Sequence, residues 1–217
     1  MSRFAILVDG DYMKKQLEST LKRFPTVQDF RAERRIFYYT ADVSSMLTPT
    51  FTLSPGRSSV HRIFYYTADP YDGTQSNPLR GAINFATSRT HQQNTALIEQ
   101  LEREDDVAVR RGVVVPRSGL AVDKPFHKST DQTTRTNAAL APPPISVPIS
   151  SRKASTIGLD IATLALKRLV TDIVVVTGDL DMVPAFKLAR TEGLRVYVDM
   201  MGAGGRRKLR VHSDRVL

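Results

Sequence analysis

The sequence of 217 residues contains no cysteine, which excludes disulfide bonds, thiolate zinc sites and cysteine nucleophiles. A chain without cysteine is also typical of the reducing cytoplasm, where we expect this protein to be located. Four histidines are present, and they lie too far apart along the chain to form a recognisable ligand pattern: His61, His91, His127 and His212. Any bound metal ion would therefore be held by oxygen ligands.

Long apolar runs are also missing. The stretch Met1–Asp9 is interrupted by an acid too early for a signal peptide, and no later run is long enough to span a bilayer. We therefore expect a soluble protein without a membrane partner. The sequence also lacks a phosphate-binding Gly-Lys-Ser/Thr loop, so a phosphatase or nucleotide-binding protein is the least supported of the functions considered.

Positive charge is abundant. Thirty-one Lys and Arg residues against twenty-two Asp and Glu residues give a formal net charge of +9 and an isoelectric point near 10.0. The excess is mostly arginine, which binds phosphate bidentately and stacks on bases, so nucleic acid is the expected partner and RNA is favoured. With 41% apolar content, we expect a single domain over 1–217 with insertions at about 43–61 and 117–152.

Two short apolar runs end in carboxylates. Phe4–Val8 is followed by Asp9, Gly10 and Asp11, and Ile173–Val176 is followed by Thr177, Gly178 and the acids Asp179 and Asp181. A continuous β-branched run is typical of a parallel strand that is covered on both faces. We therefore predict a three-layer α/β/α sandwich with a mainly parallel, Rossmann-like central sheet and acids at the carboxyl ends of its strands.

Periodicity predicts further elements. We expect four helices and two more strands: helices at 13–24, 80–103, 157–169 and 183–192, and strands at 106–116, with a bulge at Gly112, and at 194–198.

An eight-residue segment occurs twice. Arg35–Asp42 and Arg62–Asp69 are both Arg-Ile-Phe-Tyr-Tyr-Thr-Ala-Asp, and both have strong strand propensity. A doubly wound sheet needs only one of them at this point, and the sequence does not decide which copy forms the strand. The tyrosines of each pair would alternate between the two faces of the sheet.

Acids from three elements can meet at the carboxyl edge of such a sheet. Asp9 follows the first strand, Asp160 lies on a predicted helix, and Asp179 with Asp181 follows a later strand. Together they would form an oxygen-ligand site for Mg²⁺ or Mn²⁺. Taken alone, Asp11 or Asp181 is better explained as a helix N-cap.

Basic and aromatic residues near these acids would bind a nucleic-acid backbone. A solvated charged surface explains each cluster equally well when the cluster is considered alone. Tyr12 could stack on an unpaired base. The candidate phosphate-binding residues are Lys14, Lys15, Lys153, Arg206, Arg207, Lys208 and Arg210.

Three segments resemble the NYN domain family, which includes LabA-like bacterial proteins. They are Ile6–Asp11, the helix segment beginning at Ile157 with Asp160, and Val174–Pro184 with its Thr-Gly-Asp-Leu-Asp-Met-Val-Pro motif. The resemblance covers most of the chain and implies a PIN-like α/β/α sandwich with metal-dependent ribonuclease activity. It implies that Asp9, Asp160, Asp179 and Asp181 are the catalytic metal ligands.

The sequence departs from the family pattern at two positions. Tyr12 stands where the family commonly has Asn, and Lys153–Thr156 lacks the acid that commonly precedes the helix acid. Asp11, Tyr12 and Thr177 are further candidate site residues. Two functions therefore remain: a divalent-metal-dependent nuclease, or a nucleic-acid-binding regulatory module on the same fold, assembled as a homo-oligomer or with partner proteins, with weak or no catalysis.

Overall fold

The structure is a computed structural model. It describes residues 3–32, 59–77, 81–112, 114–116, 121–122, 145–146, 149–151, 153–204 and 207–217.

A sheet of six parallel strands forms the centre of the fold. Its strands are β1 (Arg3–Asp9), β2 (Ser59–Ala68), β3 (Val107–Gly112), β4 (Asp172–Val176), β5 (Arg195–Asp199) and β6 (Arg215–Val216). The helices are α1 (Gly10–Leu21), α2 (Val27–Ala32), α3 (Arg89–Leu101), α4 (Lys153–Leu166), α5 (Val183–Thr191) and α6 (Arg207–His212). Two 3₁₀ turns, at Phe85–Thr87 and Leu180–Met182, precede α3 and α5.

The strand order is β6-β5-β4-β1-β2-β3. The chain builds one half of the sheet outward from β1 and then returns to build the other half from β4, which is the doubly wound arrangement. The order reverses between β1 and β4, where Val8 pairs with Val176. Ligand crevices in open α/β sheets form at this switch point, outside the carboxyl ends of the strands.

Alternate residues of each strand pack into two separate cores. On one face, Ile6 and Val8 pack with residues of α1, α2 and α3; on the other, Leu7 and Val175 pack with residues of α4, α5 and α6. Burial on both faces explains the continuous apolar runs of β1 and β4. The three-layer α/β/α prediction is confirmed, and the central sheet is entirely parallel.

Most predicted elements are present with shifted ends. Helix α1 ends at Leu21 rather than at residue 24, because Lys22 adopts a left-handed conformation with a φ of 56°. Helix α4 begins at Lys153, earlier than residue 157. None of the helices within the described ranges is long and apolar enough to cross a membrane.

The predicted helix at 80–103 is wrong over its first part. Gly81–Asn84 is a strand that pairs antiparallel with Thr74–Asn77. The side chain of Asn84 then caps the 3₁₀ turn, and the hydroxyl of Ser88 accepts a hydrogen bond from the His91 N–H at the start of α3. Asn84 therefore begins the 3₁₀ turn and Ser88 begins α3, whereas apolar periodicity alone predicted one continuous helix.

The second copy of the repeated segment belongs to β2. Its tyrosines are both buried and lie on opposite faces, Tyr65 in the core below α1 and Tyr66 in the core below α4. Alternation along the strand, predicted from the sequence, is therefore confirmed for this copy. The first copy, at 35–42, lies outside the described residues.

The predicted insertions have different boundaries in the structure. The first was expected to extend to residue 61, but β2 already begins at Ser59, which pairs with Arg3; residues 43–58 lie outside the described part. Short strands pair near both ends of the second. Val114–Pro116 pairs with Ile149–Ser151, and Ala121–Val122 pairs with Ile145–Ser146, so the strand expected over 106–116 is divided into two strands in different sheets.

Candidate functional site

Asp9 is the last residue of β1 and the N-cap of α1. Its Oδ1 accepts a hydrogen bond from the backbone N–H of Tyr12 at 3.3 Å, which satisfies one of the unpaired donors at the helix start. The next residue is Gly10, and glycine is required there because a Cβ at this position would lie 2.5 Å from the ring of Tyr65. The close approach of Tyr65 thus fixes how β1 turns into α1 and where Asp9 is held.

The second acidic turn follows β4. Thr177 is fully buried, and its hydroxyl accepts a hydrogen bond from the Asp179 N–H at 3.0 Å. Asp179 in turn caps the 3₁₀ turn by accepting the Asp181 N–H at 3.0 Å. Asp181 is exposed. Within the described ranges, no Lys, Arg or His forms an ion pair with either carboxylate, so both present negative charge at the carboxyl edge.

Tyr12 joins the two acidic turns. Its ring packs against Gly178, where an added Cβ would overlap the ring, and its hydroxyl donates a hydrogen bond to the Met200 carbonyl at 2.6 Å. Asp9 and Asp179 therefore flank the same tyrosine, Asp9 through the Tyr12 N–H and Asp179 through the adjoining Gly178. These contacts give Tyr12 a positioning role between α1 and the turns that follow β4 and β5.

Asp199 is a site residue that sequence reasoning missed. It ends β5, is 1% exposed, and its Oδ1 accepts the Met201 N–H at 2.7 Å. Its backbone carbonyl accepts the Thr177 N–H at 3.1 Å. Asp199 therefore supports the turn that holds Tyr12. The signal was an acid directly after the apolar strand, but the predicted strand stopped at Val198.

Asp160 has different surroundings from the other predicted acids. Its Oδ2 accepts hydrogen bonds from the Tyr66 hydroxyl at 2.8 Å and from the Arg110 Nε at 3.1 Å. Burial, followed by this hydrogen bond, raises the pKa of Tyr66 well above its usual range, so the phenol keeps its proton and remains a donor. The structure thus orients Asp160 toward β2 and β3.

The four predicted metal ligands do not form one ready-made cluster. In the part of the chain that the structure describes, no group of three or more His, Asp or Glu side chains is arranged to hold a metal ion. Asp9, Asp179 and Asp181 lie at the neighbouring ends of β1 and β4, and Asp160 lies over β2.

Asp11 and Lys14 lie on the first turns of α1. The Lys14 Nζ donates a hydrogen bond to the Asn94 Oδ1 at 2.8 Å and lies 3.9 Å from the Asp11 Oδ1. With 21% of its side chain exposed, Lys14 connects α1 to α3. Its predicted role in binding nucleic acid therefore competes with a structural role.

The remaining basic candidates lie on or near α6. Arg207, Lys208 and Arg210 are exposed, while Leu209 is fully buried and anchors the helix. Helix α6 packs beside the Leu180–Met182 turn, so these cations belong to a helix that lies next to the turn containing Asp181. Arg206 and the side chain of Lys153 lie outside the described part.

Comparison with known proteins adds little. No protein family matches the chain, and no curated protein matches it. Among solved structures, the chain is similar to a protein of unknown function from Vibrio parahaemolyticus RIMD 2210633, with 14% sequence identity and a TM-score of 0.47; the match covers 100% of this chain and 91% of that one.

Proposed function

We propose that the protein is a divalent-metal-dependent nuclease that hydrolyses phosphodiester bonds in RNA or other single strands. One observation carries the proposal: Asp9 and the Asp179–Asp181 turn follow adjacent strands at the switch point of a doubly wound sheet, and Tyr12 contacts both turns. The net charge of +9 and the resemblance of the acidic motifs to NYN domains support a nucleic-acid substrate.

The donor chemistry of these turns fits Mg²⁺ or Mn²⁺. Asp9 and Asp179 would supply ligands to the ion, because carboxylate oxygens are its preferred protein ligands; Mg²⁺ commonly uses one or two of them together with water and phosphate, so a ready-made cluster of three acids is not required. Asp160 fits this role less well, since its Oδ2 already accepts two hydrogen bonds. When bound, the ion would activate a water molecule and stabilise the charge that develops on the phosphate.

The protein's own residues would position the substrate. Arg207, Lys208 and Arg210 on α6 lie beside the acidic turn and would bind the phosphate backbone. The Thr177 hydroxyl accepts a hydrogen bond from the Asp179 N–H and holds the backbone of the turn, while the Asp181 N–H donates to the Asp179 carboxylate and orients it. A cytoplasmic location, favoured by the absence of cysteine, is part of the same proposal.

The test is cleavage of a labelled single-stranded RNA by purified protein, with Mg²⁺, with Mn²⁺ and with EDTA. We expect metal-dependent cleavage that Asp9→Asn and Asp179→Asn each remove. Asp105→Asn is the matched control, because Asp105 is exposed and lies just before β3, at the opposite edge of the sheet. Cleavage that persists in both site variants would refute the site assignment.

A nucleic-acid-binding module without catalysis is the second candidate. The partners of Asp160 favour it, because Tyr66 and Arg110 occupy a carboxylate that resemblance assigns to the metal. The missing acid in Lys153–Thr156 favours it as well. Binding of RNA with a steep salt dependence, but no cleavage with either metal, would establish this alternative. Such a module could act as a homo-oligomer or with partner proteins.

A further inference from the structure

Arg110 belongs to a cluster of four side chains at the carboxyl edge of β2 and β3. The Arg110 guanidinium lies over the ring of Phe64, 5.3 Å from its centroid, and the ring of Phe64 stacks with that of Tyr66 at 6.5 Å. Tyr66 and Arg110 both donate hydrogen bonds to the Asp160 Oδ2. These four residues, the Arg110 cluster, therefore fix the guanidinium through stacking on one face and a hydrogen bond at Nε.

The bonding of Arg110 leaves part of its guanidinium available. Only Nε donates to Asp160, and no acid in the described part of the chain pairs with the two Nη atoms of Arg110. The next residue along the strand is different: Arg111 pairs with both Glu102 and Asp69. The two arginines have nearly equal side-chain exposure, 45% for Arg110 and 43% for Arg111, so their difference lies in their partners.

Arg110 is also aligned with the candidate site. Asp9 pairs with Tyr66 across β1 and β2, and Tyr66 pairs with Arg110 across β2 and β3. Neighbouring strands lie about 4.8 Å apart, so the backbones of Asp9 and Arg110 are separated by about 10 Å. A nucleic-acid strand bound at Asp9 that extended across β2 would therefore pass close to Arg110.

We propose that Arg110 binds a backbone phosphate of single-stranded RNA next to the acidic turns, and that Asp160 is a positioning residue for Arg110. The inference rests on the proposed function in taking RNA as the partner, and it changes the role of Asp160. A guanidinium held at Nε presents its Nη atoms as a fixed fork, the geometry that matches phosphate oxygens. The alternative is that the Asp160–Arg110 pair only ties α4 to the edge strand β3.

The experiment measures the Kd for a labelled single-stranded RNA in EDTA, where binding does not depend on metal or cleavage. Arg110→Ala should raise Kd about tenfold and reduce the magnitude of the slope of log K against log salt by about 0.7, the contribution of one phosphate contact. Arg110→Lys should recover only part of the affinity, because it keeps the charge but loses the fork. The matched control, Arg111→Ala, should change Kd by about twofold or less.

The role of Asp160 is tested by a double-mutant cycle. In the wild-type background, Asp160→Asn should raise Kd. The factor should be at least about three times larger than in the Arg110→Ala background, because Asp160 acts through Arg110. Equal effects in the two backgrounds would overturn the positioning role. Thermal melting of each variant establishes that the protein measured is folded; if Arg110→Ala does not fold, Arg110→Lys carries the comparison.

The outcomes separate this inference from the proposed function. If wild-type protein binds RNA and Arg110→Ala binds it equally well, the phosphate contact is refuted and the nuclease proposal stands. If Arg110→Ala only lowers the melting temperature and leaves Kd and the salt slope unchanged, the pair is structural. If wild-type protein does not bind RNA, both the inference and the nucleic-acid function are refuted.

Discussion

The carboxylates of Asp160 and of Asp179 lie near the same edge of the sheet, yet they have different partners. Asp160 accepts hydrogen bonds from a phenol and a guanidinium, whereas Asp179 accepts one from a backbone N–H. An arginine neutralises the charge of Asp160 within the fold, and a cation from solution would have to replace that contact. A backbone N–H carries no net charge, so no partner among the described residues neutralises Asp179.

The different partners follow from where each aspartate lies in the fold. Asp160 lies on a helix that packs over β2, within reach of Arg110 on β3. Asp179 follows a strand and caps a short turn whose described surroundings contain no cation paired with it. We therefore expect the two aspartates to affect function differently, Asp179 through the chemical step and Asp160 through the orientation of Arg110.

The largest expected effect is on the rate of cleavage. If the proposed metal site is right, Asp179→Asn should lower kcat by about 100-fold or more even with saturating metal, because it would misplace the ion that stabilises the transition state. Asp160→Asn should act mainly on KM, by about tenfold or less, if it only orients Arg110. Steady-state kinetics with a labelled RNA and saturating Mn²⁺ measure both constants.

Asp105→Asn serves as the control for these variants and should leave both constants unchanged. Equal losses of kcat in Asp160→Asn and Asp179→Asn would contradict the distinction between the two aspartates. Asp160 would then be a catalytic residue, as the family resemblance implies.

A second test addresses the packing that holds the Asp179 turn. Gly178→Ala would place a Cβ against the ring of Tyr12, which its hydroxyl anchors to the Met200 carbonyl. We expect this overlap to lower the free energy of unfolding by about 1–3 kcal/mol. Urea denaturation monitored by circular dichroism measures the change.

Gly204→Ala is the matched control, because a Cβ at that position meets no atom of the described residues within 4 Å. It should change the free energy of unfolding by about 0.5 kcal/mol or less. If both variants were equally stable, the contact between Tyr12 and Gly178 would not hold the turn.

A third test addresses the partners of Asp160. Tyr66→Phe removes the 2.8 Å hydrogen bond to a carboxylate that is 19% exposed, and it should lower the free energy of unfolding by about 1 kcal/mol. Tyr65→Phe, on the opposite face of the same strand, removes a longer bond of 3.4 Å to the Gly10 carbonyl. It should cost less, since a hydrogen bond weakens with distance.

Urea denaturation of the two tyrosine variants provides the comparison. A larger loss for Tyr65→Phe than for Tyr66→Phe would mean that the Asp160 contact contributes little to stability. Of the two partners that distinguish Asp160 from Asp179, only Arg110 would then be significant.

The sequence predicted the acidic turns because their signals are local. The β-branched run Ile173–Val176 is followed by Thr-Gly-Asp, and the apolar run Phe4–Val8 is followed by Asp9 and Gly10, so each marks a buried strand and its end within a few residues. These patterns led to the three-layer fold and to the pairing of acids at neighbouring strand ends.

The partners of Asp160 could not be predicted, because they are distant in sequence. Tyr66 and Asp160 are separated by 94 positions, and Arg110 and Asp160 by 50. The contact of Tyr12 with Gly178 likewise depends on how α1 packs beside the end of β4. Pattern and propensity indicate which face a residue occupies, but only the strand order determines which side chains meet there.

The smallest expected effect is that of replacing the basic residues of α6 on the affinity for RNA. Arg207→Ala and Lys208→Ala should each raise the Kd for single-stranded RNA by about twofold to threefold, because exposed cations on a solvated surface contribute little individually. Each should also reduce the magnitude of the salt slope by about 0.7 if it contacts one phosphate. Lys187→Ala is the control, since Lys187 is exposed on α5 and lines a surface pocket with Gly193 and Arg195 near the amino end of β5. An equal effect of Lys187→Ala would mean that RNA is attracted by net charge over the whole surface. The carboxyl edge of the sheet would then not be a specific RNA-binding face.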